Sequence, residues 1–176
     1  GAEAVLLADE SGGDPFDEAA SRPWHELRAR FPDRPIPLAC HTTTVEHRGQ
    51  ADVDDATAEA DARAILGFLM HSGIVAGDPP ALPAARCQPT PLAASEPVEA
   101  PVGGILVFRQ PVGARVQAGE VIAEVVDPVE GTTTPVRGGS AGVLYARVTS
   151  RFAVPGQRIA KIAGTTLSRS GRLLSA

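Results

Sequence analysis

Gly104-Ile105-Leu106-Val107, followed by Gly119-Glu120-Val121-Ile122-Ala123-Glu124-Val125, is answered by Gly142-Val143-Leu144-Tyr145, followed by Gly156-Gln157-Arg158-Ile159-Ala160-Lys161-Ile162. The glycine offsets are 15 and 14 residues within the two copies. Each copy alternates short aliphatic runs with glycine turns, the pattern of short strands rather than helices. Two three-strand halves of this kind can interlock so that each covers the other's open edge, which lets a domain of roughly 65 residues avoid exposed ladders.

The repeat resembles the barrel-sandwich hybrid of biotinyl and lipoyl domains. A carrier of that type needs a lysine at the tip of the hairpin joining its halves, because the cofactor is attached through an amide. The junction here is Asp127-Pro128-Val129-Glu130-Gly131-Thr132, without lysine, and the chain's single lysine, Lys161, falls in the last strand of the second half. Periplasmic adaptor proteins use the same fold but insert a long heptad-patterned hairpin at the junction, for which this one is too short. Both functions drop out, and a structural or lid-like module remains.

Composition bounds the rest. The 176 residues are 43% hydrophobic and 21% charged, a globular balance, and 16 basic against 21 acidic residues are interspersed along the chain. No basic stripe exists to neutralise phosphates, which argues against a nucleic-acid partner. No apolar run reaches the length that spans a bilayer and no signal sequence opens the chain, so it reads as soluble, with no membrane partner. Cys40 and Cys87 lie far apart without metal-type spacing. They suit a reducing cytoplasm better than a disulfide framework.

N-terminal to the repeat the pattern changes. Ala4-Val5-Leu6-Leu7-Ala8 is a short apolar run ended by turn residues, which suggests a buried strand whose abrupt start places it inside a larger domain. Phe16 to Phe31 favours helix, interrupted near Ser21-Arg22 by Pro23, with Trp24 and Leu27 facing inward. Pro32, Pro35 and Pro37 lead into a strand from Leu38 to about Arg48. Acidic residues Asp52, Asp54 and Asp55 then precede Ala58, Ala62, Ile65, Leu66 and Leu69 at helical spacing, with Gly73 as the stop and His71 in the last turn. Residues 76–97 are proline-rich and read as an extended linker.

The chemistry-bearing stretch is Thr42-Thr43-Thr44-Val45-Glu46-His47-Arg48-Gly49. Glu46 is the best candidate for a catalytic group, and a carboxylate of this kind most often serves a metal-bound water. A hydrolytic zinc site needs three protein ligands and an open position. The histidines are His25, His41, His47 and His71, and none begins an H-x-x-E or H-x-x-x-H pattern. In a regular strand Thr42, Thr44 and Glu46 share one face, while His41 and His47 point to the other. A site built from His41, Glu46 and His47 would demand a bulge. No G-x-S-x-G occurs, and Gly12-Gly13-Asp14 lacks the frame of a phosphate loop.

Thr44-Val45-Glu46 with Arg48-Gly49-Gln50-Ala51-Asp52-Val53, the segment Phe68-Leu69-Met70-His71-Ser72-Gly73-Ile74-Val75, and the region from Ala100 to Ala163 together look like the C-terminal portion of the succinylglutamate desuccinylase/aspartoacylase family. That resemblance implies an α/β fragment of a zinc-carboxypeptidase-like domain over residues 1–75, the linker 76–97, an all-β barrel-sandwich hybrid over 98–165 and a tail over 166–176. It implies a zinc-dependent amidohydrolase that removes an acyl group from a small N-acylated amino acid, with N-acetyl, N-succinyl and N-aspartyl substrates all open. Glu46 would be the general base. Arg48 and Tyr145, the only tyrosine, would bind substrate. The zinc ligands of the family lie in an N-terminal half, so none is expected in this chain, no zinc is expected bound to it, and the fragment alone is expected to be inactive. Free sheet edges would favour self-association into a homo-oligomer. The competing expectation is a non-enzymatic interaction module built on the barrel-sandwich hybrid.

Overall fold

The computed structural model describes residues 2–8, 15–40, 42–47, 53–171 and 173. The chain divides into two compact units, one formed by residues 1–13 with 84–176 and the other by residues 14–83. The boundary at residues 83 and 84 falls inside the proline-rich stretch. Among the described residues no helix is long and apolar enough to cross a membrane.

The larger unit is all β apart from one 3-10 turn. Its strands are β1 (Leu6–Leu7), β2 (Thr90–Pro91), β3 (Ser95–Glu99), β4 (Gly104–Phe108), β5 (Arg115–Val116), β6 (Val121–Asp127), β7 (Thr132–Arg137), β8 (Gly142–Arg147), β9 (Phe152–Ala153) and β10 (Arg158–Gly164). Two four-stranded antiparallel sheets carry the unit, in the orders β3-β10-β8-β5 and β7-β6-β4-β9. The halves of the repeat interlock. β4 and β6 of the first half take the short β9 of the second onto their edge, and β8 and β10 of the second half take the short β5 of the first. Matching backbone bonds secure the exchange: Leu106 N–H donates to Arg151 O at 2.7 Å, and Leu144 N–H to Ala114 O at 2.9 Å. Neither sheet closes on itself, so the expected barrel is instead a pair of sheets on a shared core.

That core follows from the repeat. Leu106, Ile122 and Val125 from the first half and Leu144, Ile159 and Ile162 from the second are all at most 1% exposed and belong to one cluster. Burying six such side chains, at about 1.5–3 kcal/mol each, supplies most of the driving force for this unit. The glycines that open each copy have a steric reason. A Cβ on Gly104 would lie 2.5 Å from the Val126 carbonyl oxygen, and one on Gly142 would lie 2.2 Å from that of Ala163. Only glycine lets β4 approach β6, and β8 approach β10, this closely at the strand start. The junction expected to join the halves is the β6–β7 hairpin, where the Asp127 carboxylate accepts from the amides of Val129 and Glu130 at 2.9 and 3.1 Å. An Asx turn of this type needs no lysine and leaves no long insertion.

Two expectations for the N-terminal residues are corrected. Leu6 and Leu7 do form a strand, but it pairs in parallel with β2 of the larger unit and Leu7 is 57% exposed, so it is a surface ladder of two residues rather than a buried strand. The described residues of the smaller unit hold α1 (Arg22–Arg30) and α2 (Asp55–His71), and the strand expected from Leu38 to about Arg48 does not form among them. Cys40 adopts a left-handed φ of 60°, which breaks the extended run after Leu38, and residues 42–47 find no ladder partner among the described residues. Leu27 is also exposed, while Trp24 is half-buried. The helix boundaries do follow the sequence signals, with Pro23 in the first turn of α1 and the turn at 15–21 standing before it.

Gly142→Ala is expected to lower the stability of the β unit by about 2 kcal/mol through overpacking, measured by urea unfolding. Val129→Ala, at a position 88% exposed, is the control and should move it by less than about 0.5 kcal/mol. Equal, small effects would show that β8 and β10 do not need the close approach.

Candidate functional site

In the smaller unit the segment 42–47 is extended but held by side chains. The Thr42 hydroxyl donates to the Asp17 backbone carbonyl, and the Thr44 hydroxyl donates to the Asp17 carboxylate at 3.2 Å. Threonines two apart reach the same turn because alternate residues of an extended chain share a side. Val45, Glu46 and His47 line one open concavity of about 280 Å³ together with Asp61, Ala64 and Ile65 of α2.

α2 is positioned by its cap. Asp54, in extended conformation, accepts from the Thr57 amide at 2.9 Å, satisfying one of the orphan donors of the first turn. At the other end Gly73 takes a φ of 71° and His71 Nε2 lies 2.7 Å from the Pro80 carbonyl oxygen. Asp61, Ala64 and Ile65 are spaced i, i+3, i+4 and therefore form one stripe. Across the concavity His47 Nδ1 lies 3.2 Å from Asp61 Oδ2, with the two side chains 53% and 25% exposed. A carboxylate hydrogen-bonded to Nδ1 fixes the orientation of an imidazole and leaves Nε2 free to exchange protons. Glu46 stands beside this pair, exposed to water. The arrangement is a carboxylate next to a carboxylate-oriented imidazole.

The fit of a zinc ion can be tested on these side chains. Among the described residues no group of three or more His, Cys, Asp or Glu lies close enough to hold a metal ion. His47 and Asp61 bond to each other, the Cys40 thiol is free and exposed, and the half-buried Cys87 thiol donates to the Ala2 carbonyl at 3.3 Å. The described residues of this chain therefore do not fit a zinc site, which needs three protein ligands.

Of the residues singled out in the sequence, Glu46 and His47 both line one concavity. His41 and Arg48 lie outside the described residues. Tyr145 stands on β8 in the other compact unit, where its hydroxyl is 2.8 Å from that of Ser95, a side chain only 1% exposed. Asp61 was missed. Its signal was its place one helical turn before Ile65, on the stripe already assigned to the apolar face.

No family model matches the chain, and no curated protein matches it. Solved structures do. A succinylglutamate desuccinylase/aspartoacylase family protein from Shewanella amazonensis SB2B superposes with a TM-score of 0.77 at 25% identity, over 87% of this chain and 43% of its own. A succinylglutamate desuccinylase/aspartoacylase from Shewanella frigidimarina NCIMB 400 gives a TM-score of 0.71 at 22% identity, over 84% of this chain and 41% of its own. The product-bound ectoine utilization protein EutE (DoeB) from Ruegeria pomeroyi gives 0.53 at 20% identity, over 65% and 35%. The structural neighbours of this chain are thus succinylglutamate desuccinylase/aspartoacylase family proteins, and the chain spans about two fifths of the length of the first two.

Because α2 carries Asp61, its cap bears on the site. Asp54→Ala is expected to cost about 1 kcal/mol of helix stability, read as faster amide exchange at Thr57 and Ala58. Unchanged exchange would show that the cap does not hold the first turn.

Proposed function

We propose that this chain is the C-terminal part of an amidohydrolase of the succinylglutamate desuccinylase/aspartoacylase family, acting on a small N-acylated amino acid. The observation that carries the reading is the match to the Shewanella amazonensis protein over 87% of the chain, which takes in both compact units. Glu46 lines an open concavity.

Hydrolysis of an amide needs a base to take the proton of the attacking water and an acid to return it to the amine that leaves. In this reading Glu46 does both: its carboxylate accepts the water proton, and the resulting carboxylic acid protonates the nitrogen as the C–N bond breaks. The products are a free carboxylate and a free amine. His47, oriented by Asp61, borders the same space. Arg48 is assigned the substrate carboxylate, to which a guanidinium fork is matched. The acyl group is succinyl, acetyl or aspartyl.

The family resemblance brings with it a zinc ion, which when bound supplies Lewis-acid polarisation of the amide. This chain's described residues do not make that site, and in this reading its ligands belong to the part of the matched fold beyond the 176 residues. The β unit is read as a structural module rather than as a cofactor carrier, since it lacks the hairpin lysine. The free thiols suit a reducing, cytoplasmic setting.

The test joins this chain to the N-terminal half of a deacylase fold and compares Glu46→Gln with the parent. Loss of the general base is expected to lower kcat at least about 10²-fold, with the thermal midpoint unchanged. Turnover equal to the parent would remove Glu46 from the chemistry.

A further inference from the structure

We propose that the apolar stripe of α2 is a docking surface, and that its occupant is the polypeptide that completes the succinylglutamate desuccinylase/aspartoacylase fold beyond this chain. The occupant so named presupposes that the chain is part of such a fold, and does not depend on the chemistry assigned to Glu46.

α2 runs for 17 residues, yet Gly67 is its single buried residue. Pro80 covers it so closely that a Cβ on Gly67 would lie 3.0 Å from the proline Cγ. On the stripe, by contrast, Ile65 is 41% and Leu66 45% exposed, Ala58 and Ala62 are exposed, and Leu69 is half-buried. At 3.6 residues per turn these five fall in the order Ile65, Ala58, Leu69, Ala62, Leu66 around about 100° of the helix. Gly67 falls on the far side, so the cover from Pro80 does not reach them. Helices in proteins draw most of their stability from packing an amphipathic face rather than from propensity. α2 has such a face, and the described residues leave it open.

The width of the stripe suits the packed layer of a fold rather than the narrower seam of two paired helices. Charge also disfavours a second copy. α2 carries Asp55, Glu59 and Asp61 against one arginine, Arg63, which already pairs with Glu59. Two copies of the helix laid together would set these carboxylates against their like. The matched proteins have the polypeptide that such a surface needs: 87% and 84% of this chain lie in the two Shewanella matches, but the chain covers only 43% and 41% of those proteins. More than half of each therefore lies outside the part that this chain matches. At the margin of the stripe Ile65 also lines the concavity of Glu46 and His47. A layer seated on α2 would thus border the candidate site, where it could bring the groups that the described residues of this chain lack.

The experiment reads thiol labelling by peptide mass spectrometry at Ala62→Cys and Leu66→Cys, with Ala60→Cys, exposed on the far side of α2, as control. Each variant is made in the 176-residue chain and in a protein that joins this chain to the part of the Shewanella amazonensis protein outside the match. In the chain alone all three positions are expected to label rapidly, at rates independent of protein concentration. In the joined protein Ala62→Cys and Leu66→Cys should label at least about tenfold more slowly, with Ala60→Cys unchanged. Equal labelling in the two proteins would overturn the proposal. Protection in the chain alone that grows with concentration would give the stripe to a second copy and equally overturn it. If the joined protein does not fold, the part outside the match is added to the chain as a separate polypeptide, and thiols left unprotected then count against the proposal in the same way. Protection without amide hydrolysis by the joined protein would remove the catalytic reading and leave the docking surface standing.

Discussion

The approach of Gly104 to the Val126 carbonyl and of Gly142 to the Ala163 carbonyl is the constraint on which the β unit rests. At both places the two long strands of one repeat half come together more closely than a Cβ allows. That closeness brings the aliphatic residues of each half onto one core. It also leaves the outer edge of each pair open, and the short strand of the other half fills it. The unit is therefore held by reciprocal edge protection: neither half is complete alone, and no long flat edge of the central strands is left for another chain.

The smaller unit is built on a different principle. Its extended segment has no ladder among the described residues and is held instead by two threonine hydroxyls on Asp17. Glu46 and its two neighbours line the same concavity. The capped helix α2 supplies the opposite wall and, through Asp61, a partner for His47. The structural likeness of the chain is to succinylglutamate desuccinylase/aspartoacylase family proteins.

The β unit was legible in the sequence because its signals are repeated. The glycine offsets, the positions Leu106 and Leu144, and Ile122 and Ile159 each appear twice, and steric need and burial act on both copies alike. What the repeat could not show is whether the sheets close, since closure depends on strand tilt and stagger rather than on hydrophobic pattern. Around Glu46 the reading was poorer for an equally physical reason. The β-branched run from Thr42 to Val45 expresses strand propensity, but propensity is realised only against a neighbouring strand, and a left-handed Cys40 precedes it. Asp61 escaped notice because a charge on an apolar helical stripe looks like an interruption until its partner is known.

The central claim is that this chain serves amide hydrolysis. It is tested most directly by supplying N-succinyl, N-acetyl and N-aspartyl amino acids in 18O-labelled water to a protein in which this chain completes a deacylase fold. The account predicts release of the free amine from one of these substrates, with one labelled oxygen in the liberated acyl carboxylate. Release of no amine from any of them, or release without label in the carboxylate, would contradict it.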